Sequence, residues 1–445
     1  MKSVKLLIIT LFAPLWAGAQ TLSVDDCVDI ALQHNNQITA AQSQVSASRY
    51  DVRNARSYFL PQVSLYGSLL YSAAEGGYSS GSGLLPVVDA QGNPTGQYAG
   101  FPGIDLHYDL GLVYGGGIQL EQPIYMGGKI RASYRLARIG EQVAIQQQRL
   151  TTSEVVVSTS DAYAQLVRAS ELRRVALAYN TLLTELHRKV QAAVNAGLST
   201  RNDLLKVEVK LNDSQLQLLR ADNGITLARM NLCHYLGRPL IDSIAVDAAL
   251  PYPEALPPRT DITIDNRAEY LLLQHSTDAA ERRVDIARSD MLPQVGMVGQ
   301  FGYLNGLELN GTKMMHSWNY FVGVQVSMPL FDFGRSHSKL RAARDRYDQA
   351  VADQLDSSEL LTLQANQAYN QLSEAFLEVD MARATVASAE ENLRSSRLNY
   401  EAGTETLSDH LEAQLLWQQA LTTQVEARIS LYLAHLHYLQ ATGRL

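Results

Sequence analysis

Between Asp25 and Ser57, apolar or small residues at Val28, Ala31, Leu32, Ile38, Ala41, Val45 and Val52 keep returning to one side, with Gln, Asn and Arg elsewhere. That spacing predicts one amphipathic helix. Leu60-Pro61 ends it, because proline cannot extend a helix and restricts the residue before it. The period then becomes two. Val63, Leu65, Leu69 and Tyr71 alternate with Gln62, Ser64, Tyr66 and Ser68. The same alternation sets Leu112, Tyr114, Ile118 and Leu120 against Gly115, Gly117, Gln119 and Glu121. It sets Val295, Met297, Phe301 and Tyr303 against Gln294, Gly296, Gln300 and Gly302. In a fourth run Tyr320, Val322, Val324, Val326 and Met328 face away from Gly323, Gln325 and Ser327. Each run has about the 9 to 11 residues that a tilted strand needs to cross a membrane, and Gly, Gln or Ser always lies opposite the apolar row. A soluble sandwich with one wet face is the alternative.

Residues 72–109 and 304–318 separate the strands of each pair and are rich in Gly, Ser, Pro and polar residues, so both read as exposed loops. A helical stretch follows each pair, residues 128–195 and 334–401, roughly 68 residues and about 100 Å long if continuous. A turn at Gly197 or Gly403 leads into a second helix. The helix before the strands and the helix after the turn together match the length of the long one. Stacked end to end, they would run antiparallel beside it.

The chain repeats itself. Leu60-Pro61-Gln62-Val63 returns as Leu292-Pro293-Gln294-Val295, and Gln122-Pro123-Ile124 as Met328-Pro329-Leu330. Counting on from the second proline, Gly128, Gly197, Asp203, Leu205 and Gly237 recur at one fixed interval as Gly334, Gly403, Asp409, Leu411 and Gly443. An ungapped register of that length implies an internal duplication. The expected division is a first repeat over residues 20–236, a Pro-rich linker over 237–264 at the middle of the helical stack, and a second repeat over 265–445. Pro61, Pro123, Pro293 and Pro329 mark the expected junctions between strand and helix.

Residues 1–19 read as a secretory signal: Lys2 and Lys5, the apolar run from Leu6 to Trp16, then Ala17-Gly18-Ala19, with a mature start at Gln20. The alternative, a membrane anchor, needs roughly 20 apolar residues. A net charge of −8 makes nucleic acid an unsuitable partner, since phosphate binding wants a basic face. Much of the 46% hydrophobic content is alanine, which argues against one thick core. Two cysteines do not make a disulfide scaffold. End-to-end stacking would nevertheless bring Cys27 and Cys233 to one level, where the sequence leaves two readings open, a disulfide or two small buried side chains. No phosphate loop, dinucleotide fingerprint or zinc-protease motif is present; His435 and His437 stand two apart on a helix and face different ways. Neither an enzyme nor a cofactor is expected. Four membrane strands cannot close a barrel and open edges are not tolerated in lipid, so several chains must share one. Polar side chains on more than one face of the long helices suit a wall one helix thick, the alternative being a coiled coil without a lumen.

The repeated Leu-Pro-Gln-Val, the segments Gln122-Pro123-Ile124-Tyr125-Met126-Gly127-Gly128 and Met328-Pro329-Leu330-Phe331-Asp332-Phe333-Gly334, and the turns around Gly197 and Gly403 resemble the TolC-type outer-membrane efflux ducts. The resemblance spans essentially the whole mature chain. It implies a mixed fold of α-helices and transmembrane β-strands in a homotrimer. Each chain would give four strands to one outer-membrane barrel, and long antiparallel helical hairpins would form a periplasmic α-barrel. It further implies a Gram-negative outer-membrane location and a duct that passes small molecules from a periplasmic membrane-fusion adaptor and an inner-membrane pump to the outside. A protein-secretion duct and a non-conducting stalk are the alternatives. The turns with Ala196, Gly197, Leu198 and Ser199, and with Ala402, Gly403 and Thr404, are the expected adaptor contacts. A carboxylate constriction is expected from Asp409 and Glu412, three apart on one helix, with Asp203 at the matching position of the first repeat. Glu405 stands where some members of the family carry a basic residue.

Overall fold

The computed structural model describes residues 21–306, 308–314 and 316–445. The predicted leader and its cleavage point at Gln20 lie outside the described residues. Two compact units each draw on both halves of the sequence: one holds residues 21–47 with 141–277 and 351–445, the other 48–140 with 278–350. Each half of the sequence gives its strands and the start of its long helix to the second unit and the rest of that helix, with the helix after the turn, to the first.

The strand-bearing unit is built on one antiparallel sheet. Its long strands are β1 (Gln62–Ser79), β4 (Asp105–Met126), β5 (Gln294–Asn305) and β8 (His316–Ser327). They lie in the order β1-β4-β5-β8, which leaves β1 and β8 as open edges. The first pair is longer than its alternating segments suggest, at 18 and 22 residues. The expected loop over residues 72–109 is not irregular either. A register shift between Ser72 and Glu75 lets β1 keep pairing with β4 to Ser79 and Asp105, and a separate ribbon of β2 (Gly83–Val88) and β3 (Pro94–Phe101) follows. Its turn is set by Asp89, whose Oδ1 accepts from Asn93 N at 2.9 Å, with Gly92 at φ +85°. In the shorter second loop only β6 (Glu308–Leu309) and β7 (Thr312–Lys313) form.

The helices α3 (Lys129–Asn195) and α6 (Arg335–Glu401) both run 67 residues, as the pattern predicts. After the turns come α4 (Arg201–Tyr235) and α7 (Leu407–Ala441), 35 residues each. The single helix expected over residues 25–57 is broken. Asn35 adopts an extended conformation between α1 (Val24–His34) and α2 (Asn36–Ser57). Its side-chain oxygen accepts from Gln37 N at 2.8 Å, and its amide donates to Tyr235 O at 3.4 Å. The break is a built junction, at which the end of α4 meets the end of α1. Gly237 there has φ +66°, and a Cβ on it would lie 3.0 Å from His34 O. The second repeat meets in the same way: Gly443, at φ +66°, abuts Asn266 and Arg267 just before α5 (Ala268–Ser289).

In the helical unit one core joins Val24, Cys27 and Ala31 of α1 to Val155, Tyr163 and Leu166 of α3, Leu232 and Cys233 of α4, and Ile244 and Leu250 of the linker. Tyr163 is fully buried, and its hydroxyl lies 2.7 Å from Asp247 O and 3.0 Å from Leu22 O, tying the linker to the chain's beginning. Of the two readings of the cysteines, the structure holds the pair of small buried side chains. Cys27 and Cys233 are free and buried, with Cys233 Sγ directed at Asp242 O, 3.8 Å away. They fill the junction as small apolar side chains do. A second cluster of this unit is rich in alanine, Ala365, Ala368, Leu372 and Ala375 with Leu431, Tyr438 and Ala441, which lets helices approach closely.

Candidate channel wall and hairpin tips

Pairing in register fixes which side chains share a face of the sheet. Val63 lies opposite Leu120, Leu65 opposite Ile118 and Tyr71 opposite Leu112. Ile118 in turn faces Phe301, and Phe301 faces Tyr320. Met297 and Val295 face Val324 and Val326. All four predicted apolar rows therefore fall on one surface, most exposed on the edge strands: Leu65 84%, Val322 74%. At the loop end of that surface Trp318 stacks on Phe301 at 5.2 Å and meets Tyr303 edge-on at 5.6 Å, with Tyr114 6.4 Å from Tyr303. An apolar band ended by aromatic rings is the outer surface of a membrane barrel.

The opposite face pairs Ser64 with Gln119 and Gln119 with Gln300. Here Tyr66 faces Gly117, Gly117 faces Gly302, and a Cβ on Gly302 would lie 2.5 Å from the Tyr66 hydroxyl. The tyrosine thus covers glycines on two neighbouring strands. Among the junction prolines, Pro123 departs from expectation: it sits inside β4, paired with Gly296, and a bulge carries the strand on to Met126. Pro61, Pro293 and Pro329 lie just outside their strands.

The helical unit ends in two matching turns. Leu198 N donates to Ala193 O at 2.8 Å and Gly197 N to Val194 O at 3.0 Å; Thr404 N donates to Asn399 O at 2.9 Å and Gly403 N to Tyr400 O at 3.1 Å. This is the Schellman arrangement, and its left-handed position is why glycine stands there, at φ +74° and +77°. Ala196, Leu198, Ala402 and Thr404 are exposed, and Ser199 is half-buried. Each following helix opens with a capping box, Thr200 with Asp203 and Thr406 with Asp409. The Thr200 hydroxyl holds the Asp203 carboxyl below the usual carboxylate range. Asp409 and Glu412 are both exposed. Lys206 lies 3.6 Å from Asp203 Oδ1 and donates to Ser408 Oγ at 3.2 Å, so the two tips touch. Beneath them Tyr179, Leu183, Leu186, Val190 and Val207 pack on Leu407 and Leu411, and Lys189 pairs with Glu401 at 2.8 Å.

One group at the tip was not anticipated from sequence. His410 is buried, stacked on Tyr400 at 5.2 Å, and its Nε2 accepts from Gln414 Nε2 at 3.0 Å. Its Nδ1 lies 3.0 Å from Ser396 Oγ, which donates to Glu405. Burial pushes its pKa down, against the pull of Glu405. Glu405 is therefore tied inward here. The histidine's place one residue after a capping aspartate was the available signal.

A family model described as outer membrane efflux protein matches residues 27–238 and 262–444. The chain belongs to the outer membrane efflux protein family. It is an outer-membrane export channel that extends into the periplasm. It is 26% identical to the alkaline protease secretion protein AprF of Pseudomonas aeruginosa, over 96% of this chain and 84% of that protein. It is 22% identical to the outer membrane efflux protein BepC of Brucella suis, over 93% and 84%. Among solved structures the Campylobacter jejuni CmeC outer membrane channel superposes with a TM-score of 0.78 at 19% identity, covering 94% of this chain and 85% of that one. VceC of Vibrio cholerae gives 0.75 at 18%, covering 94% and 96%.

Proposed function

We propose that three copies of this chain close one barrel and one periplasmic tunnel. The assembly would form the outer-membrane duct of a tripartite system that exports small molecules received from a periplasmic adaptor and an inner-membrane pump. The observation that carries this reading is the sheet with one apolar face, one polar face and two open edges. Unpaired edge groups cost several kcal/mol each in lipid. Pairing β8 of one copy with β1 of the next removes every edge, and three four-stranded sheets exceed the minimum of about eight strands. The chain itself performs no chemistry in this reading. Cysteines introduced in pairs along β1 and β8 should cross-link neighbouring copies into covalent trimers; pairs that link only within one chain would exclude the closure.

The exposed turns at Ala196–Ser199 and Ala402–Thr404 are the proposed adaptor contacts. The exposed pair Asp409 and Glu412, with Asp203 behind, is the proposed acidic constriction: threefold repetition would place six exposed carboxylates around the axis. The similarity to a protease secretion protein over 96% of the chain favours a second reading, in which the same duct serves protein secretion. A photo-reactive residue at Leu198 or Thr404 that captures the adaptor in cells separates the two. The adaptor of a solute pump supports the first, and that of a protein exporter the second.

A further inference from the structure

The chain is acidic overall, yet the first turns of its two long helices are not. Residues 129–138 hold Lys129, Arg131, Arg135 and Arg138 and no acid; residues 335–344 hold Arg335, Lys339, Arg341 and Arg344 and no acid. Both lysines pair with one carboxylate, Asp290, which lies 3.1 Å from Lys129 Nζ and also accepts from Lys339. Arg135, Arg138, Arg341 and Arg344 are exposed and form no ion pair among the described residues. Within each helix the two arginines are three apart and share a face. They recur at the interval that relates Gly128 to Gly334, so the duplication has kept the same charged face on both helices.

Just before these turns lie exposed aromatic and apolar residues, Tyr125, Leu330, Phe331 and Phe333, the last 91% exposed. Tyr125 stands at the end of β4 and the others follow β8 in the chain, and exposed aromatic rings are a mark of a membrane boundary. Arg135 and Arg341 stand about 9 Å beyond the starts of their helices. Side chains on a helix lean toward its N-terminus, which here is the sheet end, and a long arginine stem can carry its guanidinium back into a head-group layer about 5 to 8 Å deep.

We infer that the Arg135/Arg138 and Arg341/Arg344 faces form a collar that binds the phosphates of anionic phospholipids in the inner leaflet of the outer membrane. Guanidinium groups without a protein carboxylate and phosphate diesters are complementary partners, and the collar is continuous with the lipid-facing band. The inference rests on the membrane placement of the sheet and not on the number of copies, the adaptor or the cargo.

The test uses the full chain, purified and placed in nanodiscs of equal parts phosphatidylglycerol and phosphatidylcholine, with the lipid retained after detergent extraction counted by mass spectrometry. The native chain should retain phosphatidylglycerol preferentially. Replacing all four arginines with Gln should weaken that preference by about five-fold for each guanidinium removed, and replacing them with Lys should keep most of it. Should the four-fold variant misfold, Arg135→Gln/Arg138→Gln alone should remove about half the excess lipid. Unchanged retention in the folded Gln variant would overturn the collar. So would unchanged retention with altered anion selectivity of the reconstituted channel, which would put the arginines in the lumen. A failure of β1–β8 cross-linking would count against the trimer and leave this measurement unaffected.

Discussion

Ile118 and Gln119 are neighbours on β4 and lie on opposite faces of the sheet, so one charge placed at each position interrogates the wall directly. Ile118 is half exposed, between Leu65 and Phe301. Gln119 lies between Ser64 and Gln300, and its amide bonds Glu121. An arginine at the lipid face near mid-membrane costs about 2 to 4 kcal/mol. Three copies would raise this to roughly 6 to 12 kcal/mol for a trimer, comparable to the whole stability of an ordinary domain. Gln119→Arg instead sets a cation beside Glu121 in water and should change stability by less than about 1 kcal/mol. Refolding from urea into vesicles, followed by gel mobility with and without heating, reads both variants. Ile118→Arg should lose most folded, inserted protein, and Gln119→Arg should match the native chain. Equal effects, or a larger effect at Gln119, would refute the assignment of faces.

Leu198→Trp or Thr404→Trp should abolish export in cells while trimer formation and membrane insertion stay intact; unimpaired export would remove the tips from the adaptor contact. Asp409→Asn with Glu412→Gln should lower cation selectivity and relieve block by multivalent cations in a bilayer recording, and an unchanged recording would mean that these residues are not the constriction. Burial pushes the Cys27 thiol up to about 11 and raises that of Cys233, so alkylation at pH 8 should modify neither in the folded chain and both in denaturant without reductant. Failure to alkylate in denaturant would mean that a disulfide forms after all. The hydrogen bond from Lys339, with the one from Lys129, holds the Asp290 carboxyl below its usual range, so the native form gains stability above the unfolded carboxylate pKa and loses it as pH falls through the depressed value. Native and Asp290→Asn chains should therefore differ in melting temperature at neutral pH and converge as pH falls through the depressed value; a constant difference would contradict the link.

The periodic parts of this structure were legible in the sequence. Both 67-residue helices fall within a residue of the pattern's limits, because proline, glycine and threonine punctuate them. The apolar row of each strand was also readable, since a slip of one residue would reverse every face. The break at Asn35 was not, because its local bond from Gln37 N acts together with one to Tyr235, 200 residues away. Strand extension past Ser72 was missed for a related reason. Glu75 to Ser79 carry little apolar alternation, and they are strands because β4 offers them a paired backbone. At the tip, glycine marked the turns at Gly197 and Gly403, and the repeat register matched Asp203 to Asp409. The inward tie of Glu405 through Ser396 to His410 depends on packing between two helices and has no local signature.

Conduction is the property that separates a duct from a stalk with the same fold. Purified protein added to one side of a planar lipid bilayer should give discrete, long-lived current steps, and Asp409→Asn with Glu412→Gln should keep the steps while lowering their cation preference. Protein that inserts, is protected from protease across the strands and yet carries no current, with or without those substitutions, would contradict the account.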